Sequence, residues 1–461
     1  MKGVSKLRNI FGQPQKEKFT DLAMAEVTTE GSLIAVNSAF LAVSWSGVGG
    51  CIGVFDSSKP TRISSSTPII RGHTSYVSDV KFNPFHLNML ATGSDDSSIK
   101  IWNLPEGGLK EEMTEEAQLY KGHSRKISHI QFNPVCDGII ASSAFDKTCQ
   151  VWNMAKAEEI AKIEFKDIPT SLEWNVNGSL IGCSTKEKLI NIIDPRTNSI
   201  IIKAKGHESP KIQKMLFIDE NYFVSCGFNK SSKREVNLYD IRNVSNGTID
   251  KHIERIDVDS QSGIMTPFYD SGLKLLYVPG RGEGNIHYYD LSDNGIKVCS
   301  EYKSGSPQKQ ICMFEKKTMD YNKCEVARFA KVVGNTLEYL SFYVPRRNPG
   351  YEPEFYPNIF AGEPALSVDD WMSGQNAEPI VKEITAIENK WVSNVEVTFE
   401  KKVEEVKKTP EENIKDMEAK ILGLEQQVNN LTAANEKLTK ELDTLRNKYT
   451  ELEKENEELK Q

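Results

Sequence analysis

Two sets of four side chains combine an imidazole, a hydroxyl, a carboxylate and an indole at the same spacing. In each set the hydroxyl, the carboxylate and the indole follow the histidine by 19, 23 and 29 positions. A histidine beside a hydroxyl and a carboxylate could act as a general base. An indole N–H in the same set instead favours a closed chain of buried hydrogen bonds, which satisfies each polar group away from water. We therefore predict a structural role for both sets, which are His73, Thr92, Asp96 and Trp102, and His123, Ser142, Asp146 and Trp152.

A glycine-rich run at 280–284, Gly-Arg-Gly-Glu-Gly, could wrap a phosphate group. A phosphate loop is normally followed by a helix whose N-terminal dipole faces the anion, and no helical pattern follows here. The run ends shortly before Tyr289, at a place where a repeat needs a tight turn between two strands. We predict a turn.

No other pattern in the chain indicates catalysis or a metal site. The zinc-protease, serine-hydrolase and phosphate-loop motifs are missing. The eight cysteines form no C-x-x-C pair and mostly lie in apolar runs, so we predict free buried thiols in a reducing cytosol. We expect no cofactor, no metal and no enzymatic activity.

The elements that position these residues are repeats of 41 to 50 residues, each ending in an aromatic or apolar residue followed by Asp or Asn. The matched sets resemble the buried tetrads of WD repeats, so we predict an all-β, seven-bladed β-propeller over 1–345. Six repeats are visible. Residues 310–345 supply the seventh, and we expect a strand from around 33–45 to close the ring. The third full repeat lacks a Gly-His pair and the fourth has an insertion, so both are predicted to rely on packing. The repeat endings are Phe55, Trp102, Trp152, Ile193, Tyr239 and Tyr289.

The pattern changes after Pro345. Residues 346–390 are rich in proline, glycine and large apolar residues, which predicts an ordered C-terminal arm packed on one propeller face. Residues 391–412 are highly charged and predict a flexible linker.

Residues 413–461 follow a heptad pattern without a break, which predicts an oligomerising α-helical coiled coil. In a parallel arrangement four pairs at the flanking positions have opposite charge, for example Lys420–Glu425. Asparagines at core positions favour a parallel dimer, and a lysine version of a trimer motif leaves a trimer open. The core residues include Ile421, Leu424, Val428, Leu431, Asn435, Leu438, Leu442, Leu445, Tyr449, Leu452 and Asn456.

The composition argues against several classes of partner. A net charge of −8 and a pI near 5.6 do not suit general binding of nucleic acid or anionic membranes. The first eighteen residues are basic but contain no apolar run of signal-peptide length, and no later segment is long enough to span a bilayer.

Several stretches together resemble the coronin family over nearly the whole chain. They are SKLRNIFGQP near the N-terminus, the repeat from GHTSYVSDVKFNPF to IKIWNLPEGGL, IIDPRTNSII, MTPFYD followed by GRGEGNIHYYDL, and YPNIFAGEPALSVDDWMSGQNAEPI. The order of propeller, arm, variable linker and short coil agrees with that family. General WD-repeat proteins lack the last two stretches.

The resemblance implies a cytoplasmic protein that binds actin filaments and regulates their turnover at the cell cortex. It also implies a link to the actin-branching nucleator complex through the C-terminal coil. Because actin is acidic, we expect basic residues to contact it. The alternative is a generic WD-repeat scaffold for other protein partners. The candidate actin-binding residues are Lys6, Arg8, Arg62, Arg71, Lys81, Arg125 and Lys126.

One position departs from the family pattern. Coronins commonly carry a basic residue just after the N-terminal signature, and the matching residue here is Glu26. This charge reversal leaves open which propeller surface contacts actin.

Overall fold

The computed structural model describes residues 7–346 and 350–384, together with the single helical positions Lys440, Leu442, Arg446 and Lys448. The chain divides into two compact units, Met1–Glu400 and Lys401–Gln461. Within the described residues no helix is long and apolar enough to cross a membrane.

The first unit is a ring of seven antiparallel sheets, here called blades 1 to 7 in chain order. The first strands of neighbouring blades contact each other and surround a central channel. Blade 1 consists of Ile34–Val36, Phe40–Trp45, Gly50–Asp56 and Ile69–His73; blade 2 of Val77–Phe82, Met89–Ser94, Ser98–Asn103 and Gln118–Lys121; blade 3 of Ile127–Phe132, Ile139–Ala144, Thr148–Asn153 and Glu158–Glu164; and blade 4 of Pro169–Trp174, Ile181–Thr185, Leu189–Asp194 and Ser199–Lys205, with Thr248–Ile249 added in parallel.

The remaining blades have the same up-and-down order of strands. Blade 5 consists of Lys214–Phe217, Tyr222–Phe228, Arg234–Asp240 and Glu254–Asp259; blade 6 of Phe268–Asp270, Leu275–Pro279, Ile286–Asp290 and Lys297–Tyr302; and blade 7 of Gln310–Met313, Glu325–Val333, Thr336–Tyr343 and the N-terminal strand Phe11–Phe19. Short 3-10 helices cover Lys316–Thr318, Tyr321–Lys323 and Pro353–Phe355.

The ring is therefore closed by Phe11–Phe19, which pairs with Thr336–Tyr343 as the outer strand of blade 7. The expectation that residues around 33–45 close it was wrong, because these residues form the first two strands of blade 1. The physical reason is burial. Phe40–Trp45 is apolar and almost entirely buried, as an inner strand must be, whereas most of Phe11–Phe19 is polar and at least partly exposed, which suits an outer strand.

The two faces of the ring follow from the strand order. In each blade the first strand starts, and the second strand ends, on what we call the upper face. Loops between blades and loops between second and third strands therefore lie on the upper face, and the other loops start from the lower face.

Residues 350–384 run along the lower face. Phe360 packs edge-on against Phe85 of blade 2, and Leu366 forms a bridge with Cys136 of blade 3. The short helix Val368–Met372 buries Trp371 completely. Two further short strands, Ile359–Phe360 and Val381–Lys382, pair with each other.

The predicted linker at 391–412 and nearly all of the predicted coil at 413–461 lie outside the described residues, so both stay predictions. The four described positions of this region are helical, and Leu442, assigned to the predicted core, is 67% exposed in the single chain.

Candidate protein-binding face

The residues with matched spacing form two closed chains of hydrogen bonds. His73 Nδ1 lies 2.9 Å from Asp96 Oδ2, and His73 Nε2 lies 2.8 Å from Thr92 Oγ1. Trp102 Nε1 donates to the same hydroxyl at 2.9 Å. Because an indole can only donate, the Thr92 hydroxyl accepts from it and can donate to Nε2 of His73, which leaves the imidazole proton on Nδ1 facing Asp96.

The second set repeats this geometry on blade 3. His123 contacts Asp146 at 3.0 Å and Ser142 at 2.8 Å, and Trp152 donates to Ser142 at 2.9 Å. Burial raises the pKa of the Asp146 carboxyl, but hydrogen bonds from His123, Thr148 and Ser124 together lower that pKa well below its usual range. All the polar groups of the set are engaged with each other, which indicates a structural role.

The structure contains a third set of this kind, which the sequence analysis did not identify. His207 Nδ1 contacts Glu235 at 2.7 Å, and His207 Nε2 contacts Ser225 at 2.8 Å. Tyr239 stands at the indole position and donates to Lys205 O at 3.0 Å. The expectation that this repeat relies on packing alone was therefore wrong.

The longer turn before Arg234 explains why the third set was missed. The acid lies on the third strand, paired with Gly227, instead of in the turn as Asp96 does, so it no longer follows the histidine by 23 positions. A glutamate side chain is long enough to reach the imidazole from there. The Gly206-His207 pair with Ser225 18 residues later was the available signal.

The glycine-rich run at 280–284 is a turn between the second and third strands of blade 6, as predicted. Its Arg281 points to the centre of the upper face and donates to Thr29 O at 2.7 Å and to Gly31 O at 3.2 Å. A phosphate-binding role is therefore not needed to explain it.

Thr29–Gly31 belong to a strap, residues 20–33, that connects the closing strand to blade 1 and covers the upper mouth of the channel. Thr29 Oγ1 donates to Ser78 O at 2.8 Å, and Lys214 Nζ donates to Glu30 O at 2.6 Å. A Cβ atom at Gly31 would lie 2.6 to 2.7 Å from carbonyl oxygens of two blades, so only glycine allows the strap to pass this closely.

The basic residues selected from the sequence do not share one surface. Lys6 lies outside the described residues, and Arg8 is exposed just before the closing strand begins on the lower face. Arg62 Nε contacts Asp21 at 2.5 Å, and Arg71 Nε contacts Glu112 at 3.0 Å, so a carboxylate already neutralises each of these two side chains.

Lys81 lies inside the channel, on the first strand of blade 2. Its charge acts on Glu173 and Asp79, which also face the channel. Between Asp79 and Lys81, Val80 packs in the apolar core cluster of blades 1 and 2, which agrees with the alternation of side chains along a strand. Arg125 and Lys126 do lie on the upper face, in the loop between blades 2 and 3.

These two residues belong to a larger basic group, here called the basic sector, in the upper loops of blades 3 to 5. Nine cations stand there against four acids, of which Asp146 is held by His123. Lys126 and Lys186 lie over the ring of Phe145, at 4.3 and 5.8 Å, so the loops of blades 3 and 4 adjoin. The cations of the sector are Arg125, Lys126, Lys147, Lys166, Lys186, Lys188, Lys211, Lys230 and Lys233, and its acids are Asp146, Asp167, Glu187 and Glu208.

The lower face has the opposite character. Among residues 350–384 of the arm, seven acids stand against a single lysine. The basic sector and the arm are therefore electrostatically distinct, although the chain as a whole is acidic. The acids are Glu352, Glu354, Glu363, Asp369, Asp370, Glu378 and Glu383, and the lysine is Lys382.

Glu26 lies in the middle of the strap with 82% of its side chain exposed. Lys309 Nζ, from the loop between blades 6 and 7, contacts it at 3.0 Å. The acid at this position is thus accompanied by a lysine, and the local charge is close to neutral.

All eight cysteines are buried and unpaired, which confirms the prediction of free thiols.

Family models match three parts of the chain. A domain of unknown function, DUF1899, matches residues 2–62, which include the closing strand and the strap. The WD domain, G-beta repeat, matches 64–103 and 114–153, and a type of WD40 repeat matches 337–379.

Known relatives and solved structures extend these matches. Coronin-A of Dictyostelium discoideum is 41% identical over 405 residues, covering 85% of this chain and 90% of its own. Coronin-like protein crn1 of Schizosaccharomyces pombe is 32% identical over 395 residues, covering 83% of this chain and 64% of its own. The WD40 domain of Toxoplasma gondii coronin aligns with a TM-score of 0.79 and 29% identity, covering 83% of this chain and 99% of that one. The chain therefore belongs to the coronin family.

Proposed function

We propose that this protein binds actin filaments through the basic sector of its upper face and thereby regulates actin organisation and turnover. The observation that carries the proposal is the excess of nine cations over four acids in this sector, in a chain whose net charge is −8. Actin is acidic, so a basic face would direct the encounter and fix its orientation.

The side chains of the sector are available for such a contact. Within the described part of the chain, none of the ammonium or guanidinium groups of Arg125, Lys186 and Lys211 has a carboxylate within ion-pair distance. Lys211 Nζ stands 4.4 Å over the ring of Phe228, which holds the charge at the surface without neutralising it. Exposed cations of this kind gain Coulomb energy only when an acidic partner arrives.

Co-sedimentation with filaments tests the proposal. The double variant Lys186→Glu with Lys211→Glu should bind filaments at least about tenfold more weakly at low salt, because the net charge of the contact face changes by four units. Binding of the unaltered chain should weaken as ionic strength rises, since exposed charges are screened.

The matched control is Lys110→Glu with Lys156→Glu, which makes the same charge change in exposed loops of the lower side. The control should bind filaments like the unaltered chain. Equal loss in both variants would show that only total charge matters, and an unaltered chain that stays in the supernatant at micromolar actin would refute filament binding.

The second candidate is a generic WD-repeat scaffold for other protein partners. The acidic arm on the lower face favours it, because seven acids against one lysine suit a basic partner and not actin. This function would be supported instead if the chain does not bind filaments but binds another protein, and if Glu363→Lys weakens that binding.

The C-terminal coil is proposed to join two chains in parallel, with a trimer as the alternative, and to reach the actin-branching nucleator complex. The exposure of Leu442 in the single chain is in keeping with a helix that needs a partner. The proposed place of action, the cytoplasmic actin cytoskeleton at the cell cortex, follows from the family.

A further inference from the structure

The lower end of the central channel contains a cavity of about 850 Å³. Two segments of the arm, 357–360 and 378–381, form part of its wall, so the cavity exists only because the arm lies across the lower face. This volume is in the range of sites that hold small organic molecules. Its walls are mixed, with polar and charged residues beside seven aromatic ones, which are Phe82, Phe132, Trp174, Phe217, Tyr269, Phe314 and Phe360.

A carboxylate stands at the inner end of the cavity. Glu173 lies inside the molecule, and the surface it retains faces the cavity. Gln131 Nε2 donates to its Oε2 at 2.6 Å. Burial raises the pKa of Glu173 to about 7, although Lys81 and Lys214 act in the opposite direction.

The charges around Glu173 leave it without a direct counter-ion. Within the described residues no cationic nitrogen lies within 4 Å of its carboxylate. The charges of Lys81 and Lys214 lower the pKa of Glu173 through space, and both lysines also act on Asp79. At the cavity wall, Lys316 is already held by Asp270 at 2.5 Å and by Val326 O at 2.7 Å.

The outer end of the cavity is also acidic. Glu378 of the arm faces Glu220 of blade 5, and the hydrogen bond between these two carboxyls raises the pKa of Glu378. An occupant that carries a positive charge would therefore meet Glu173 at one end and, at the other, a carboxyl pair that keeps one negative charge when it shares a proton; an anionic occupant would be repelled.

We propose that this cavity binds a small organic cation with an apolar body, whose charge pairs with Glu173 and whose body packs against the aromatic residues of the walls. A half-buried carboxylate such as Glu173, with no cation in direct contact, gains from a cation delivered into the same enclosed space. Aromatic faces attract ammonium groups in addition, and most strongly when water is excluded. The site is independent of filament binding.

Calorimetric titration of the full-length protein at pH 8 tests the proposal with three probes that share one apolar body. Hexyltrimethylammonium should bind saturably, and hexanol should bind at least about tenfold more weakly because it lacks the charge. Hexanoate should not bind. Binding of all three probes with similar affinity would overturn the proposal, and so would no binding of the ammonium probe at millimolar concentration.

Glu173→Gln should weaken binding of the ammonium probe about tenfold or more, because the negative charge is lost. The affinity for hexanol should stay unchanged, because the amide oxygen can still accept from Gln131 and preserve the site. Glu208→Gln, the same change at an exposed position on the upper face, is the matched control and should bind like the unaltered chain. An unchanged affinity in Glu173→Gln would exclude Glu173 as the partner of the cation.

A measurement on the unaltered chain avoids any dependence on the folding of variants. At pH 7 a bound cation should favour the ionised carboxylate of Glu173, so binding should release a fraction of a proton and tighten as the pH rises from 6 to 8. Titration in two buffers of different ionisation enthalpy measures this release. A heat that does not depend on the buffer, with a constant affinity over this pH range, would contradict the assignment.

Discussion

At the scale of single residues, His73 and His123 are held by carboxylate and hydroxyl partners that are themselves buried or half-buried. Asp96 also accepts from the backbone of Thr74, which ties the loop between blades 1 and 2 to the second strand of blade 2. The imidazole, hydroxyl and carboxylate groups that resemble a general-base site thus connect one loop to two strands through hydrogen bonds.

We expect His73→Ala and Asp146→Asn each to lower the free energy of unfolding by about 1–3 kcal/mol, because each leaves buried partners without a hydrogen bond. His207→Ala should have a similar effect, since its contacts with Glu235 and Ser225 have the same geometry. Urea unfolding at pH 7 measures these values. Ser124→Ala, an exposed neighbour of His123, should change stability by less than about 0.5 kcal/mol.

The cost of Asp146→Asn should also depend on pH. The pKa of Asp146 is lowered in the folded protein, so its charge stabilises the fold above the ordinary aspartate pKa. That contribution is lost as the pH falls below about 4. A cost that stays constant from pH 7 to pH 3 would contradict the charged contact with His123.

At the scale of elements, Trp371 is the most deeply buried side chain of the arm. Trp371 is completely buried, its Nε1 donates to Gly178 O at 2.7 Å, and its ring lies edge-on to Trp174 with centroids 6.0 Å apart. Arg196 stacks over the outer side of the indole at 5.0 Å. The short helix that carries Trp371 is capped by Ser367, which accepts from Asp370 N.

Trp371→Ala should therefore loosen the arm around its short helix while the propeller stays folded. The expected sign is faster hydrogen exchange of backbone amides in 350–384, with protection in blades 2 and 3 largely retained, because the lost contacts lie outside the ring. Met372→Ala is the matched control, since the neighbouring side chain is 47% exposed. Equal exchange in the two variants would show that Trp371 does not hold this part of the arm.

At the scale of the whole molecule, the proposed filament contact depends on the basic sector and on the predicted coil. One basic sector would give a single, salt-sensitive contact of modest strength. Joining two propellers converts the second contact into an intramolecular event, which can raise the apparent affinity by about 10²-fold or more.

We expect the full chain to sediment as a dimer at equilibrium and a chain ending at Glu400 to be a monomer with filament affinity reduced at least about tenfold. Ending the chain there follows the boundary between the two compact units. A trimer would revise the number of strands, and a monomeric full chain at tens of micromolar would exclude the coil as the joining element. Labels at Leu459 that stay far apart in the assembly would exclude the parallel arrangement.

The sequence by itself determined the features that depend on local spacing. The matched histidine sets and the turn at 280–284 follow from residues less than about thirty positions apart, and the repeat length follows from intervals of 41 to 50 residues between repeat endings. Such patterns survive wherever the blade sits in the ring. The resemblance to coronins, carried by stretches such as GRGEGNIHYYDL, was likewise readable, and the relatives confirm it.

Only the tertiary structure decided the features that depend on contacts between distant segments. The pairing of Phe11–Phe19 with Thr336–Tyr343 joins parts of the chain more than 300 residues apart, and no local pattern selects one polar strand over another as its partner. The position of Lys81 in the channel and the gathering of loops from three blades into the basic sector have the same origin. The closure of the ring determines which side chains share a face. The positions of charged residues in the sequence do not by themselves show which of them will lie together.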